Sequence, residues 1–343
     1  MRPLVLKGHE RAITFLKYNH EGDLLFTCAK DTAPCVWYAD NGERIGTYKG
    51  HSGAVWSLDV TRDSKLLLTG SADNTAKLWM VETGEELFSW NHRAPVRCVA
   101  LAHGDKKFLT VSDPKKTQKL PPTILIYKLD PDRPYKQSGT LIREISGQNY
   151  DCKIQQALWG PLNKHIFAAS EDGCVYIHDA DTGELVHQIT DHAGPINSIV
   201  FSPDEVFFLT CSDDCTAKLY DTKTFKLLKT YETSKPVNAG SISPIKDHVL
   251  LGGGQKAAGV TQSATKAGQF QARFFHIIFE EELGTVKGHF GPINTLSFSP
   301  DGRSYASGGE DGYIRLHHLD AHYFETGLEE PDEMAELDDD EEN

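Results

Sequence analysis

Long apolar runs are absent from the 343 residues. The N-terminal MRPLVLKGHERAIT has one short apolar patch, Leu4 to Leu6, before charges resume, too short for a signal peptide or a membrane span. Cytoplasmic residence without membrane contact is the expectation. The seven cysteines (Cys28, Cys35, Cys98, Cys152, Cys174, Cys211 and Cys215) are an odd number and include no C-x-x-C pair, so neither a disulfide framework nor a zinc site is indicated. They read as reduced thiols filling core positions. An excess of positive charge is also missing: the formal net charge is −14. Eleven of the acids lie between Glu325 and Asn343, where no Lys or Arg occurs, and the remainder carries 38 acids against 35 bases. A nearly neutral body lacks the field that holds a phosphate backbone, so no direct nucleic-acid binding is expected. No stretch keeps a helical period, and no G-K-[ST] phosphate loop occurs.

What is present is a repeat. Hydrophobic residues at 39% and charged residues at 24% fit a folded body. Gly8-His9, Gly50-His51 and Gly288-His289 are copies of one dipeptide, with Asn91-His92 and Asp191-His192 as degenerate forms. An Asp follows His9, His51, His192 and His289 by 22 residues in each case (Asp31, Asp73, Asp214 and Asp311), and six residues later stand Trp37, Trp79, Tyr220 and His317. A further copy keeps Asp172 and His178 six apart, with Gln148 near the expected His. Two units are stretched, one by PKKTQKLPP (114–122) and one by GGGQKAAGVTQSATKAGQ (252–269). Seven units of about 45 residues match the period of a WD-repeat propeller.

Each unit reads as four short strands. In the second they are AVWSLDV (54–60), LLLTGS (66–71), TAKLW (75–79) and EELFSW (85–90), with turn residues at Arg62-Asp63, Asp73-Asn74 and Thr83-Gly84. The expected architecture is all-β, a seven-bladed propeller over 1–324 with an acidic, disordered tail at 325–343. The last unit supplies three strands, PINTLSF (292–298), SYASGG (304–309) and YIRLHHL (313–319). Arg2 to Leu6 is therefore expected to complete blade seven and close the ring.

The recurring polar residues have a structural task. The Asp accepts from the imidazole, and the imidazole bonds a hydroxyl on the second strand, which meets the indole N–H of the third, so that every buried polar group has a partner. The expected sets are His51, Ser71, Asp73 and Trp79 in blade two, and His192, Ser212, Asp214 and Tyr220 in blade five. In blades one and seven, Ala29 and Gly309 stand at that hydroxyl position, which reads as decay of the set. A Ser-His-Asp hydrolase triad is set aside because the trio recurs at the structural period, whereas a nucleophile needs one exposed site with an oxyanion hole. Gly252, Gly254 and Ala257 formally fit G-x-G-x-x-A, but no βαβ unit follows. Lys106, Lys107, Lys115, Lys116 and Lys119 make the one local basic patch and read as a solvated loop, with contact to RNA or to an acidic partner surface as the alternative. His317, His318 and His322 make a poor chelate, because neighbours on a strand face opposite ways. No metal, cofactor or enzymatic activity is expected.

Six segments carry a resemblance: KGHERAIT (7–14), YNHEGDLLFTCAKD (18–31), VWYADNGERIGTYKGHSGAVWSLDV (36–60), LTGSADNTAKLW (68–79), VLLGGGQ (249–255) and FQARFFHIIFEEELGTVKGHFGPIN (270–294). Over 1 to about 324 the chain resembles the family of i subunits of eukaryotic translation initiation factor three, departing from its pattern in the third blade and after residue 325. The resemblance implies a non-catalytic scaffold subunit of a large cytoplasmic complex. It implies docking on the b subunit through a helical C-terminal segment of that partner, and association with the g subunit. Through the complex it implies contact with the small ribosomal subunit, in support of recruitment and start-site scanning. A WD-repeat adaptor in signalling or RNA–protein assembly is the alternative, and the segment 270–294 argues against it. The loops joining strands one and two and strands three and four share a face. In blade five they bring Asp204, Glu205 and Asp221 into an acidic patch suited to Arg or Lys on a docked helix, although Asp204 and Asp221 also suit turn geometry.

Overall fold

In the computed structural model, which describes residues 3–118, 120–146, 152–254 and 270–325, 28 strands form seven four-stranded antiparallel sheets. Blade two shows how the local sequence does this. Its strands are Val55–Val60, Leu66–Ser71, Thr75–Met80 and Glu86–Asn91, within a residue of the expected spans. The turn between the second and third is held by Asp73, whose Oδ1 accepts from Thr75 N at 3.0 Å, while Asn74 takes a left-handed φ of 66°, which Asn tolerates. The second strand is buried throughout and the fourth is mostly half-buried, so burial falls toward the rim.

The first strands ring the axis and line a channel of about 560 Å³, with Lys17, Trp56, Arg97, Gln156 and Asn197 on its wall. The core therefore lies between the blades. It comprises seven apolar clusters, one at each seam. At the first seam Phe26, Val36 and Tyr48 of blade one meet Val55, Leu67 and Trp79 of blade two. A register shift falls at the start of every first strand, between Ile13 and Phe15 in blade one and at the matching place in the other six. Such a bulge sharpens the local twist, which each blade needs to face its neighbours around a ring.

Leu4–Leu6 is the outer strand of blade seven, paired Leu4 to Leu316, Val5 to Arg315 and Leu6 to Ile314. The ring is closed as the repeat phase requires; Arg2 lies outside the described residues. In the third-blade insertion a 3-10 turn spans Lys116–Gln118, and Lys115 bridges Leu120. In blade six Gly252 and Gly253 end the strand His248–Gly253. A Cβ on Gly252 would stand 2.6 Å from Leu296 of blade seven, so these glycines admit close packing between blades. Residues 255–269, with Ala257, lie outside the described set. After Leu319 a short helix, Ala321–Glu325, takes in Glu325, the first residue of the expected tail. The rest of that tail, 326–343, is also outside the described residues.

Candidate protein-interaction site

The repeated polar residues build a directed relay. In blade two Trp79 Nε1 donates to Thr69 Oγ1 at 2.8 Å, Thr69 Oγ1 lies 2.7 Å from His51 Nε2, and His51 Nδ1 lies 2.8 Å from Asp73 Oδ2. An indole can only donate and a carboxylate only accept, so Thr69 Oγ1 accepts from Trp79, the ring proton of His51 sits on Nδ1, and burial keeps Nε2 an acceptor for the Thr69 O–H. The imidazole is then the neutral tautomer, with Nδ1–H donating to the carboxylate. Burial disfavours charge on His51 and lowers its pKa. Burial opposes the Asp73 charge too, but hydrogen bonds from Thr75, Ser52 and His51 outweigh it and hold the pKa at about 2.

The hydroxyl is where the sequence reading needs correction. Ser71 and Ser212 are not in the relay. They stand two residues beyond Thr69 and Thr210, roughly 6–7 Å further along the strand. Ser71 Oγ lies 3.1 and 3.0 Å from the carbonyls of Gly53 and Ala54 and accepts from Asp73 N at 3.2 Å. Ser212 Oγ donates to Gly194 O at 3.0 Å and accepts from Asp214 N at 3.2 Å. Both serine hydroxyls fasten the turn, and the apparent decay in blades one and seven disappears. Thr27 takes His9 and Trp37 at 2.9 and 2.8 Å, and Ser307 takes His289 at 2.8 Å. Gly309 is there for space, since a Cβ would lie 2.5 Å from His289 Nδ1. The missed signal was a fixed interval of 18 residues from His to hydroxyl, kept in five blades and including His92 with Thr110 at 2.9 Å.

Blade five keeps His192 with Thr210 at 2.7 Å and with Asp214 at 2.8 Å. Tyr220 stacks on Phe208 at 5.0 Å, and its buried hydroxyl faces Asp191 and Thr210, the place the indole N–H takes in blade two. In blade four Asp172 accepts from Tyr176 at 2.7 Å. In blade seven His317 stacks on Tyr305 at 4.5 Å while its neighbour His318 bonds Asp40 O at 3.0 Å, so the two are used on different faces. With Ser71 turned to backbone carbonyls and Thr69 fully buried, the relay presents no nucleophile to solvent.

The blade-five acids lie on one face. Thr222 N donates to Val206 O at 2.9 Å and joins the two loops side by side. Asp204 Oδ1 accepts from Ser202 Oγ and Val206 N. Asp221 Oδ1 accepts from Thr224 N and Oγ1, both at 2.6 Å, and those bonds lower its pKa. Glu205 Oε1 lies 2.9 Å from His103 Nε2 of blade three. Both aspartates thus set their turns while Asp204 remains exposed. Sequence reasoning missed the apolar neighbours of this patch. Val206 of blade five and Ile245, Ile278 and Phe279 of blade six are 46, 51, 52 and 67% exposed. They occupy the same kinds of loop, and Lys229 with Glu280 (3.4 Å) and Tyr231 Oη with Ile277 O (2.8 Å) tie the two blades together there. Such residues carry no periodic signal, because loop side chains are not constrained by a strand face.

Seven blades, relays repeated at the blade period and a face of exposed apolar and acidic loops define a WD-repeat propeller that acts by holding other molecules. Residues 1–329 match the family model EIF3I. The chain is 46% identical over 329 residues to eukaryotic translation initiation factor 3 subunit I of Nematostella vectensis, covering 96% of this chain and all of that one. It is 46% identical over 325 residues to the Dictyostelium discoideum subunit I, covering 95 and 96%, and 47% identical over 330 residues to that of Drosophila melanogaster, covering 96 and 100%. The chain belongs to the family of eukaryotic translation initiation factor 3 subunit I, and is a non-catalytic scaffold subunit of that factor.

Proposed function

We propose that the chain is the docking platform on which the b and g subunits of initiation factor three are held in the cytoplasm, and that the complex so assembled supports small-ribosomal-subunit recruitment and start-site scanning. A helix from the b subunit lies across the loop face of blades five and six. The observation that supports this most is the pairing of exposed Val206, Ile245, Ile278 and Phe279 with the acids Asp204 and Asp221 on adjoining loops. An apolar helical face covers the first group, and Arg or Lys at its margin meets the second. A patch of large exposed side chains on loops that are otherwise well hydrogen-bonded marks an interaction surface.

The test changes Asp204 and Asp221 together to Lys and measures binding of the b subunit's C-terminal helix together with thermal stability. Each Asp loses its turn bonds, so a small drop in melting temperature is expected, whereas binding should fall by about tenfold or more through like-charge repulsion. Undiminished binding at moderate salt would move the helix to another part of the ring.

A further inference from the structure

At six of the seven seams, the outer strand of one blade, or a residue beside it, is contacted by the connection between the third and fourth strands of the next. Gly42 of blade one sits against Leu6 of blade seven, with a Cβ on it 3.0 Å away. Tyr48 Oη, beside the blade-one edge Arg44–Thr47, donates to Val81 O of blade two at 3.3 Å. Tyr135 Oη of blade three reaches Glu85, next to the blade-two edge, at 3.4 Å. Arg143 in the blade-three edge donates to Thr182 O of blade four at 3.0 Å. His187 in the blade-four edge stacks on Phe225 of blade five at 5.3 Å. The blade-five edge is covered through Tyr231 and Ile277.

Among the described residues the seam between blades six and seven has no such hairpin, and the chain after blade seven's third strand touches blade six instead through Phe324 O, which accepts from Lys246 Nζ at 2.9 Å, and Tyr323 Oη, 2.8 Å from His248 Nδ1. Because the fourth strand of blade seven comes from the N-terminus, the chain leaves its third strand, Ile314–His318, without a hairpin and enters the helix Ala321–Glu325. The edge left behind, Glu282–His289, is the longest fourth strand, with eight residues against three to six elsewhere, and all but Val286 and His289 are exposed. A Cβ on Gly284 would meet nothing within 4 Å. Val286, paired with Ala272, stands where Trp90 pairs with Ala76 and Tyr231 with Ala217. Those aromatics are buried, whereas Val286 is partly exposed and packs at the margin of the core between blades six and seven, as Tyr323 and Phe324 do.

We infer that this edge of blade six takes an extended segment of a partner subunit as a fifth strand. An uncovered edge offers a row of main-chain donors and acceptors to such a segment, and proteins shield edges this long when nothing is meant to bind them. Its chemistry follows from the ends of the edge. Glu280, Glu281 and Glu282 stand at its start, Glu280 and Glu282 are paired with Lys229 and Arg273, and Glu281 is exposed. The segment is therefore basic where it meets Glu281 and carries an apolar side chain that packs on Val286. The chain's own residues 326–343 are the wrong occupant: they hold ten acids and no Lys or Arg, and Pro331 interrupts them.

The inference rests on the subunit reading above and is tested by amide exchange over residues 282–288, in the isolated chain and in the purified initiation factor complex. In the complex these amides should exchange about tenfold more slowly or less still. Glu281→Lys with Leu283→Lys, two exposed positions, should abolish that protection while the variant still enters the complex with an unchanged melting temperature. Equal exchange in both states overturns the inference alone, and so does protection that the double variant leaves intact. Protection that grows with concentration in the isolated chain overturns it in favour of pairing between copies. A wild-type chain absent from the complex overturns the subunit reading and this inference with it.

Discussion

Replacing Thr69 by Val keeps the shape of the side chain and removes one oxygen. That oxygen serves two fully or nearly fully buried partners: it accepts from Trp79 Nε1 at 2.8 Å and lies 2.7 Å from His51 Nε2. Both would be left without a partner in a site that water does not reach, since Thr69 and Trp79 are completely buried. An unsatisfied buried polar group costs about 1–3 kcal/mol. Two of them, partly relieved by local relaxation, give about 2–4 kcal/mol. For a chain of this size that is a fall in melting temperature of roughly 3–6 °C. Thermal unfolding followed by tryptophan fluorescence would measure it, because Trp79 sits in the site. Thr69→Ser restores the oxygen and should recover most of the loss, leaving about 1 kcal/mol for the missing methyl. Ser71→Ala should cost about 1 kcal/mol, the value of a turn bond. A Thr69→Val protein as stable as wild type, or a Ser71→Ala protein less stable than Thr69→Val, would refute the relay.

Deleting Met1 to Leu6 removes the outer strand of blade seven together with Leu6, which is buried among Ile13, Trp37 and Leu316, and bares the edge Ile314–His318. Aggregation or a strongly lowered melting temperature in light scattering is expected, and a soluble deletion variant of wild-type stability would contradict closure by this strand. Acid should destabilise the ring: burial lowers the pKa of His51, His192 and His289, and that of His92 to about 4. A lowered His pKa means the unfolded chain takes up protons first, so stability falls as pH drops below about 6.5. Asp73, held at about 2, adds a second loss as pH falls from about 4 toward 2. Burial opposes charge on His9 as well, but hydrogen bonds that its ring donates to Asp31 and Cys35 turn its pKa up to about 9. Its contribution is thus full below pH 6.5 and fades as pH rises through 9. Melting temperatures between pH 3 and 9 check this, and His92→Gln should flatten the acid limb between pH 6.5 and 4; a profile flat from 7 to 4 in the wild type would contradict it.

Much of this was legible in the chain because it is written as a period. The Asp at 22 residues from each His and the aromatic six beyond it fix the blade phase. That phase in turn places Leu4–Leu6 in the last blade, since three strands alone remain for it. The hydroxyl was misplaced because Thr69 and Ser71 lie on the same face of one strand, both are hydroxylic, and only the depth along the strand separates them. The sequence carries the answer in the 18-residue interval, which Thr27 and Ser307 keep in the two blades where Ala29 and Gly309 stand at 20. The docking face was legible only in its acids. Ile278 and Phe279 sit in a connection whose exposure depends on how blade six is set against blade five, and no local pattern encodes that. The uncovered edge at Glu282–His289 was implied by ring closure, but its exposure depends on what the neighbouring blade lacks.

Affinity purification of the full chain from cell extract, with identification and quantification of what is retained, tests the central claim most directly. The scaffold account predicts the b and g subunits in near-equal amounts with the chain, and small ribosomal subunits retained through them and lost at high salt before the subunits are. A chain recovered without those subunits, or with signalling proteins in their place, would contradict it.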